Sequence, residues 1–526
     1  MNKYAEQALL EYNNEESSTH QGGIGNRPFW NKNATQFMFV PVFEFPGIRC
    51  AKGYLFTAED KNGKKHTFKA LNPQASLAPI WADIPAGIVH LKVESVNAEG
   101  EVEHIAGART FYKLAPFPGR DAYPPKARSY RECALKAYQY IYREEMVQYW
   151  LKYGKPMADY AHNVYPAKTI GGVIRAMVGY AKLEPACAEN ALALACRAAD
   201  YLMSISFGDN HPLAGLPPTY SFENLNAEAV NKVAPAAQKC VGTTMMLYPI
   251  TAGIAYLKLA EATGKDKYLN AALRIAKYFK ANMLPCGSWY LLYDCDSGKP
   301  LSDNICNDFN IVKFFHALYE KTKDESWRKI ECAHYQYIKE KCLKEYKWEG
   351  QFEDVPVSLP YENLTHFHAD YLISYIAENY ANDEKMVTVA VDLMRFIEDQ
   401  FMVWGEHPEW NQTLGDGPWH YPAGTEQYYC YCPIDASGAA IMTAFVDMYK
   451  LKGDRLYLEK AMSIADMMTR VQNSETGGIP TFWIGKDCCY GFENFWINCL
   501  LYSADAMMNI AEFLETKGIE EIADLK

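Results

Sequence analysis

Four long segments of the chain bring tryptophan or tyrosine together with aspartate, glutamate or histidine. GSWYLLYDCDSG (287–298) leads into Cys306-Asn307-Asp308-Phe309-Asn310, and WEGQFEDVPVSLPYENL (348–364) leads into His366-Phe367-His368-Ala369-Asp370. The other two are WGEHPEWNQTLGDGPWHYPAGTEQYYCYCP (404–433) and GGIPTFWIGKDCCYG (477–491). This mixture suits sugars: aromatic faces stack on the apolar C–H face of a pyranose, while carboxylates and amides bind its hydroxyls. Cleaving a glycosidic bond further requires a protonated carboxylic acid and a second group acting as base or nucleophile.

The candidate catalytic carboxylates are Asp308, Glu362, Asp370 and Glu426. Asp308 is expected in the first turn of a helix, where the dipole favours its ionised form and suits it as a base or nucleophile; capping that helix is its structural alternative. Glu362 follows Tyr361, and apolar neighbours there would raise its proton affinity. Asp370 comes one turn after His366 on a helix expected to be buried, where an unpartnered carboxylate is costly. Glu426 shares its segment with Asp416, Trp419 and His420. The expected substrate-binding set is His162, Arg175, Trp289, His366, His368, Trp419, His420 and Trp483. Arg175 and Lys168 are the cations suited to a uronate carboxylate.

The same residues admit other chemistries. Tyr428, Tyr429 or Tyr165 as acid, with His366 or His162 as base, would serve a lyase. Glu426, Cys430 and Cys432 with Cys488 and Cys489 offer the thiolates and carboxylate of a tetrahedral zinc site, with Glu426, Cys430, Cys488 and Cys489 as its four ligands. His366-x-His368 does not place both rings on one helix face, so it is a poor metal pair. No cofactor is otherwise expected.

These residues need elements to hold them. Residues 1–30 are polar and Gly-rich and read as an arm. Residues 31–116 alternate as short strands (QFMFVPVFEF, KGYLFTAED, KHTFKA, GIVHLKVESV, ARTFYKLA) with an Asn62-Gly63 hairpin signal, which predicts a small β-sandwich of immunoglobulin or fibronectin type. Pro116, Pro118, Pro124 and Pro125 mark a linker, 117–128. From 129 to 526 the period becomes helical, with about twelve helices: 129–153, 168–182, 186–206, 248–263, 265–281, 307–322, 324–342, 365–381, 383–402, 434–450, 454–472 and 492–516. Their connections alternate between very short (Gly264-Lys265-Asp266, Gly453-Asp454) and long, which implies six helical hairpins with every long loop at one end. AGIAYLKLAEATGKDKYLNAALRIAKYF and SGAAIMTAFVDMYKLKGDRLYLEKAMSIADMM repeat that unit. The fold class is therefore mainly α, an (α/α)6 toroid preceded by the β-module. An open solenoid would have more uniform loops.

Composition narrows the partners. The 526 residues carry 52 Lys+Arg against 64 Asp+Glu, a net charge of −12, and this argues against a nucleic-acid partner. There is no long uncharged apolar run for a membrane. The fifteen cysteines are odd in number and scattered through helical stretches, as in a reduced, cytoplasmic protein; a removed signal peptide would make it periplasmic. The expected partner is an oligosaccharide, with no nucleic acid and no membrane, and homo-oligomer formation is compatible with the composition.

The toroid with Trp-rich and acid-rich loops resembles the six-hairpin glycosidase superfamily, which includes glucuronyl hydrolases. RPFWNKNATQFMFVPVFEFPG, PIWADIP and GARTFYKLAPFPG look like the N-terminal module of glycoside hydrolase family 154-type β-glucuronidases of gut bacteria. The resemblance spans nearly the whole chain and implies exo-acting hydrolysis of β-glucuronide oligosaccharides by paired carboxylates. The Glu-and-Cys set is loosely similar to the zinc arrangement of the β-L-arabinofuranosidase family. An unsaturated-glucuronyl hydrolase or polysaccharide lyase on the same toroid, and a non-catalytic carbohydrate-binding protein, are the remaining readings.

Overall fold

A computed structural model describes residues 2–16, 34–344, 346–354, 362–408, 417–486 and 495–519. They form two compact units. The first comprises 1–125, 341–348 and 362–467, and the second 126–340, 349–361 and 468–526.

In the first unit, a five-stranded sheet runs in the order Gln36–Phe37, Val102–Lys113, Gly87–Val96, Gly53–Asp60, Lys65–Ala70. Its pairs are antiparallel except for the parallel edge formed by Gln36–Phe37. Val42–Glu44 and Gln74–Ser76 make a separate two-stranded ribbon. Phe43 of that ribbon meets Phe37 and Phe111 with ring centroids 5.3 Å apart in each case. The expected sandwich is thus realised as a sheet and a short ribbon, too few strands for a full second layer of immunoglobulin type.

The expected arm is corrected in part, because Lys3–Asn14 is a helix. Tyr4, Ala8 and Tyr12 recur every four residues and form its buried stripe. Tyr12 Oη donates to Leu114 O (2.9 Å), and the Trp81 indole donates to Tyr12 O (3.1 Å). Beneath this helix lies Lys113, only 1% exposed, which donates to Trp81 O (2.6 Å) and Ile84 O (2.8 Å) and sits over the rings of Trp81 and Tyr12. Lys113→Met would leave two buried carbonyls without a donor, and we expect a loss of roughly 2–4 kcal/mol in urea unfolding.

The same unit carries the helices Phe367–Asn379, Glu384–Phe401 and Asp435–Lys452, and residues 455–467 of the helix Arg455–Val471. Phe367–Asn379 packs on both Glu384–Phe401 and Asp435–Lys452. A hairpin of Ala423–Gln427 and Cys430–Pro433 lies against the Asp435–Lys452 helix.

The second unit is almost entirely helical. Four helices, Pro166–Leu183, Leu247–Thr263, Asn310–Thr322 and Ile497–Thr516, follow long loops. Leu247–Thr263 touches both Pro166–Leu183 and Asn310–Thr322, and Ile497–Thr516 touches Pro166–Leu183. Leu247–Thr263 is apolar nearly all round, as a helix surrounded by others must be. A Cβ at Gly253 would come within 2.7 Å of the Phe314 ring, so glycine permits that close approach. Asp266–Ala281 and Glu325–Ile338 instead bury a single stripe. The tight turn at Gly264 adopts the left-handed conformation (φ 65°) that a two-helix hairpin needs. The expected helix 129–153 is two, Tyr130–Arg143 and Glu145–Tyr153, because Glu144 is extended (ψ 131°). Among the described residues, no helix is long and apolar enough to cross a membrane.

Candidate functional site

In the second unit the N-terminal ends of the four packed helices deliver side chains to one neighbourhood. Pro166 starts its helix with the φ that a first turn requires, and Lys168 stands in that turn. Tyr248 lies in the first turn of Leu247–Thr263, Asp308 immediately precedes Asn310–Thr322, and Trp496 caps Ile497–Thr516. Into the first two of these reaches Glu353, from the loop at 349–354. Its side chain is fully buried and accepts from Lys168 Nζ at 2.5 Å, and Tyr248 Oη bonds its other oxygen. The Glu353 backbone is fixed as well, since its N–H donates to Tyr248 Oη (3.1 Å) and its carbonyl accepts from Tyr220 Oη (2.9 Å).

Burial pushes the Glu353 carboxyl up from its ordinary range, and Lys168 opposes that rise by charge and hydrogen bond. Burial alone would lower Lys168, but the charges of Glu353 and Asp354 override it and hold the ammonium protonated. The pair is therefore an ion pair with Tyr248 as a third member. Lys168 also lies 4.6 Å over the Trp496 ring.

The turn Ala161–Val164 precedes the Lys168 helix and contributes His162, whose ring is 3.8 Å from that of Trp496. His162 Nδ1 and both amide atoms of Asn163 are buried with no hydrogen-bond partner among the described residues. Burial, aided by Lys168, lowers His162 to about 3, so it is neutral at physiological pH. Uncharged, unpartnered polar groups of this kind are what a hydroxylated ligand can satisfy.

Asp308 joins through its neighbour: the Asn307 N–H donates to Gln351 Oε1 (3.0 Å), and Asn307 Nδ2 donates to Glu349 O (3.2 Å). The segments carrying Asp308 and Glu353 thus run side by side. Asp308 is 4% exposed, and burial raises it to about 6 against the pull of two hydrogen bonds from Asn310, which corrects the expectation that the helix dipole favours its ionised form for a base or nucleophile. One oxygen accepts the Asn310 N–H (2.9 Å) and its amide (3.0 Å), so the capping role anticipated for Asp308 is also present.

The first unit holds a second constellation. His366 Nδ1 is bonded to Asp370 Oδ2 one turn along the Phe367–Asn379 helix, and both side chains are buried. His366 Nε2 and Asp370 Oδ1 have no partner among the described residues. Burial raises Asp370 against the pull of His366. Thr365 Oγ1 donates to Glu426 O (2.8 Å), bringing the 423–433 hairpin beside this dyad. Glu426 is half-buried and accepts from Gln427 Nε2 (3.0 Å).

Several expected roles need correction. Glu362 is exposed, so the apolar surroundings that would make it an acid are missing. Arg175 lies in the third turn of its helix and pairs with Asp505 (3.6 Å), where it serves packing instead of a sugar carboxylate. Trp289 and Trp483 are fully buried, and the Trp289 indole donates to Phe279 O (2.8 Å). Trp348 and Trp404 are also buried, and Trp419 (5% exposed) stacks on His407 at 3.9 Å. Long loops need small cores of their own, and large rings fill them. His368 is buried (8%) and His420 half-buried. Of the zinc set, Cys430 Sγ is 3.4 Å from Cys432 Sγ, while Cys488, Cys489, Asp416 and Trp410 lie outside the described residues. Among the described residues no group of three ligands for a metal is assembled.

Glu353, Tyr248 and Trp496 were not singled out from the sequence. One signal pointed to Glu353: Lys168 stands in an apolar, glycine-rich helix start, and a cation there requires an acidic partner.

No family model matches the chain, and no curated protein matches it. The chain shares its fold with a cellobiose 2-epimerase. That enzyme, from Spirochaeta thermophila, superposes with a TM-score of 0.51 at 11% identity, over 73% of this chain and 98% of its own. The likeness supports the (α/α)6-barrel type of fold expected from the helix spacing. Looser likenesses include an unsaturated glucuronyl hydrolase specific for heparin (TM-score 0.46, 12% identity, 76% and 99% covered). Another is a family 76 glycoside hydrolase from a bovine Bacteroides thetaiotaomicron strain (TM-score 0.43, 10% identity, 89% and 94% covered).

Proposed function

We propose that the protein is a glycoside hydrolase acting on uronic-acid-containing oligosaccharides, with Glu353 and Asp308 as its working carboxylates. The observation that carries this reading is the pair of buried carboxyl groups on neighbouring segments, of which Glu353 is bonded to a cation and Asp308 to the neutral Asn310. Glu353, bonded to Lys168 Nζ and Tyr248 Oη, serves as base or nucleophile. Asp308, raised to about 6, carries a proton near neutrality and serves as the acid. His162, Asn163 and Trp496 supply neutral hydrogen-bonding groups and an aromatic edge for the sugar. Incubation with an aryl β-glucuronide and a panel of other aryl glycosides tests the reading. Release of the phenol from the glucuronide is expected, and no release from any member at high enzyme loading would overturn it.

The His366–Asp370 dyad favours a second reading. A histidine oriented by a carboxylate, with its other nitrogen unpartnered, is built to move a proton, as a polysaccharide lyase requires. That reaction would give products with a new ultraviolet-absorbing double bond. His366→Gln would abolish it, whereas under the hydrolase reading His366→Gln would leave the Glu353 and Asp308 chemistry in place.

A further inference from the structure

A cavity of about 260 Å³ lies between the Asp266–Ala281 helix, the end of the Ala188–Ser204 helix and the loop that follows it. Its lining shares no residue with the Lys168–Glu353 site. Lys267, Asn270, Ala271 and Arg274 are spaced i, i+3, i+4 and i+7, so they present one face of the helix, polar at both ends and small in the middle. Gly215, at φ 85°, brings the loop so close that a Cβ there would stand 3.1 Å from Arg274 Cβ. The Tyr256 side chain is fully buried and lines the cavity, with its hydroxyl facing Ser206. Ser206 Oγ, also in the lining, donates to Leu202 O (2.8 Å).

The charges decide the kind of ligand. Lys267 is paired with Asp200 (2.6 and 2.8 Å) and Arg274 with Asp209. Each cation therefore stands beside a carboxylate, and an incoming anion would have to displace or face one. A sugar hydroxyl both donates and accepts, so it matches cation and carboxylate together. The apolar walls from Met203, Ala271 and the Tyr256 ring suit the C–H face of a pyranose. A space of this size, just below the range of drug-sized pockets, admits roughly one or two sugar rings.

We propose that this cavity binds a neutral saccharide of one or two rings, independently of the catalytic residues. Hydrogen exchange of the full chain, with cellobiose as the probe, tests it. Saturable protection is expected in peptides covering 203–216 and 264–276. Asn270 and Arg274 are exposed, so Asn270→Ala/Arg274→Ala leaves the fold intact, and it should raise the cellobiose concentration for half-protection by about tenfold or more. Tyr256→Phe should weaken protection more modestly, and Glu353→Gln should leave it unchanged. Retention in Glu353→Gln separates this site from the hydrolase reading, because a protein with no turnover would still show it. Absence of protection at these peptides, equal protection in the double variant, or stronger protection by glucuronate than by cellobiose would each overturn the proposal.

Discussion

Glu353→Gln is expected to lower kcat on an aryl glucuronide by on the order of a thousandfold, the scale of a lost acid–base or nucleophilic carboxylate. It should also destabilise the protein. Removing one member of a buried ion pair strands the other, at about 3–5 kcal/mol for full burial. Lys168 keeps 20% of its side chain exposed, so the lower end of that range applies. Lost activity alone would not separate chemistry from folding, and the double variant Lys168→Met/Glu353→Gln does so. With both charges gone the unpaired ammonium disappears and most of the stability should return, while activity stays at the single variant's level. Thermal melts and kcat measured on the three proteins decide the matter. Parallel recovery of activity would make Glu353 a structural residue only.

Asp308→Asn has the second large effect, and its two consequences have opposite signs. Activity should fall by about 10² to 10⁴, because an amide cannot deliver the proton. Stability should move the other way above neutrality. The folded carboxyl sits at about 6 whereas the unfolded one is near its ordinary value, so between those values the native state binds more protons than the unfolded state. The contribution of Asp308 is therefore fully favourable below the unfolded value and is lost as pH rises through about 6. Asparagine, neutral at every pH, escapes that loss and can still accept from Asn310. Urea unfolding at pH 8 should show the variant more stable than the parent by roughly 3 kcal/mol, with the difference vanishing near pH 4. If Asp308 is the general acid, kcat/KM of the parent falls as pH rises above about 6. A profile flat from pH 5 to 8 would remove it from that role.

The helices were legible because their signals are local. The expectation of 248–263 and 265–281 meets Leu247–Thr263 and Asp266–Ala281, since apolar period and the Gly264 stop both lie within a few residues of each other. Lys3–Asn14 escaped because its stripe is only Tyr4, Ala5, Ala8 and Tyr12 amid charged residues, and its burial depends on Leu114 and Trp81 far along the chain. The break at Glu144 has neither glycine nor proline to announce it.

The site was legible only in part. Asp308, His162, His366 and Asp370 stood out because they flank helix starts. Glu353 was passed over for Glu362 in the same loop, because the residue that distinguishes them, Lys168, is 185 positions away from Glu353. Exposure reversed their ranking. The tryptophans were misassigned for a similar reason: loop position suggests a surface ring, yet whether the indole is buried depends on contacts no spacing reveals. Trp289 turned inward onto Phe279 and His334, while the half-buried Trp496 took the place beside Lys168.

The most direct test of the central claim is a crystal structure of Glu353→Gln with a bound glucuronide oligosaccharide. The anomeric carbon of the cleaved sugar is expected within about 3–3.5 Å of the substituted side chain, the distance of a near-attack arrangement, with Asp308 toward the glycosidic oxygen. A sugar seated against His366 and Asp370, with no contact to position 353 or to Asp308, would contradict it.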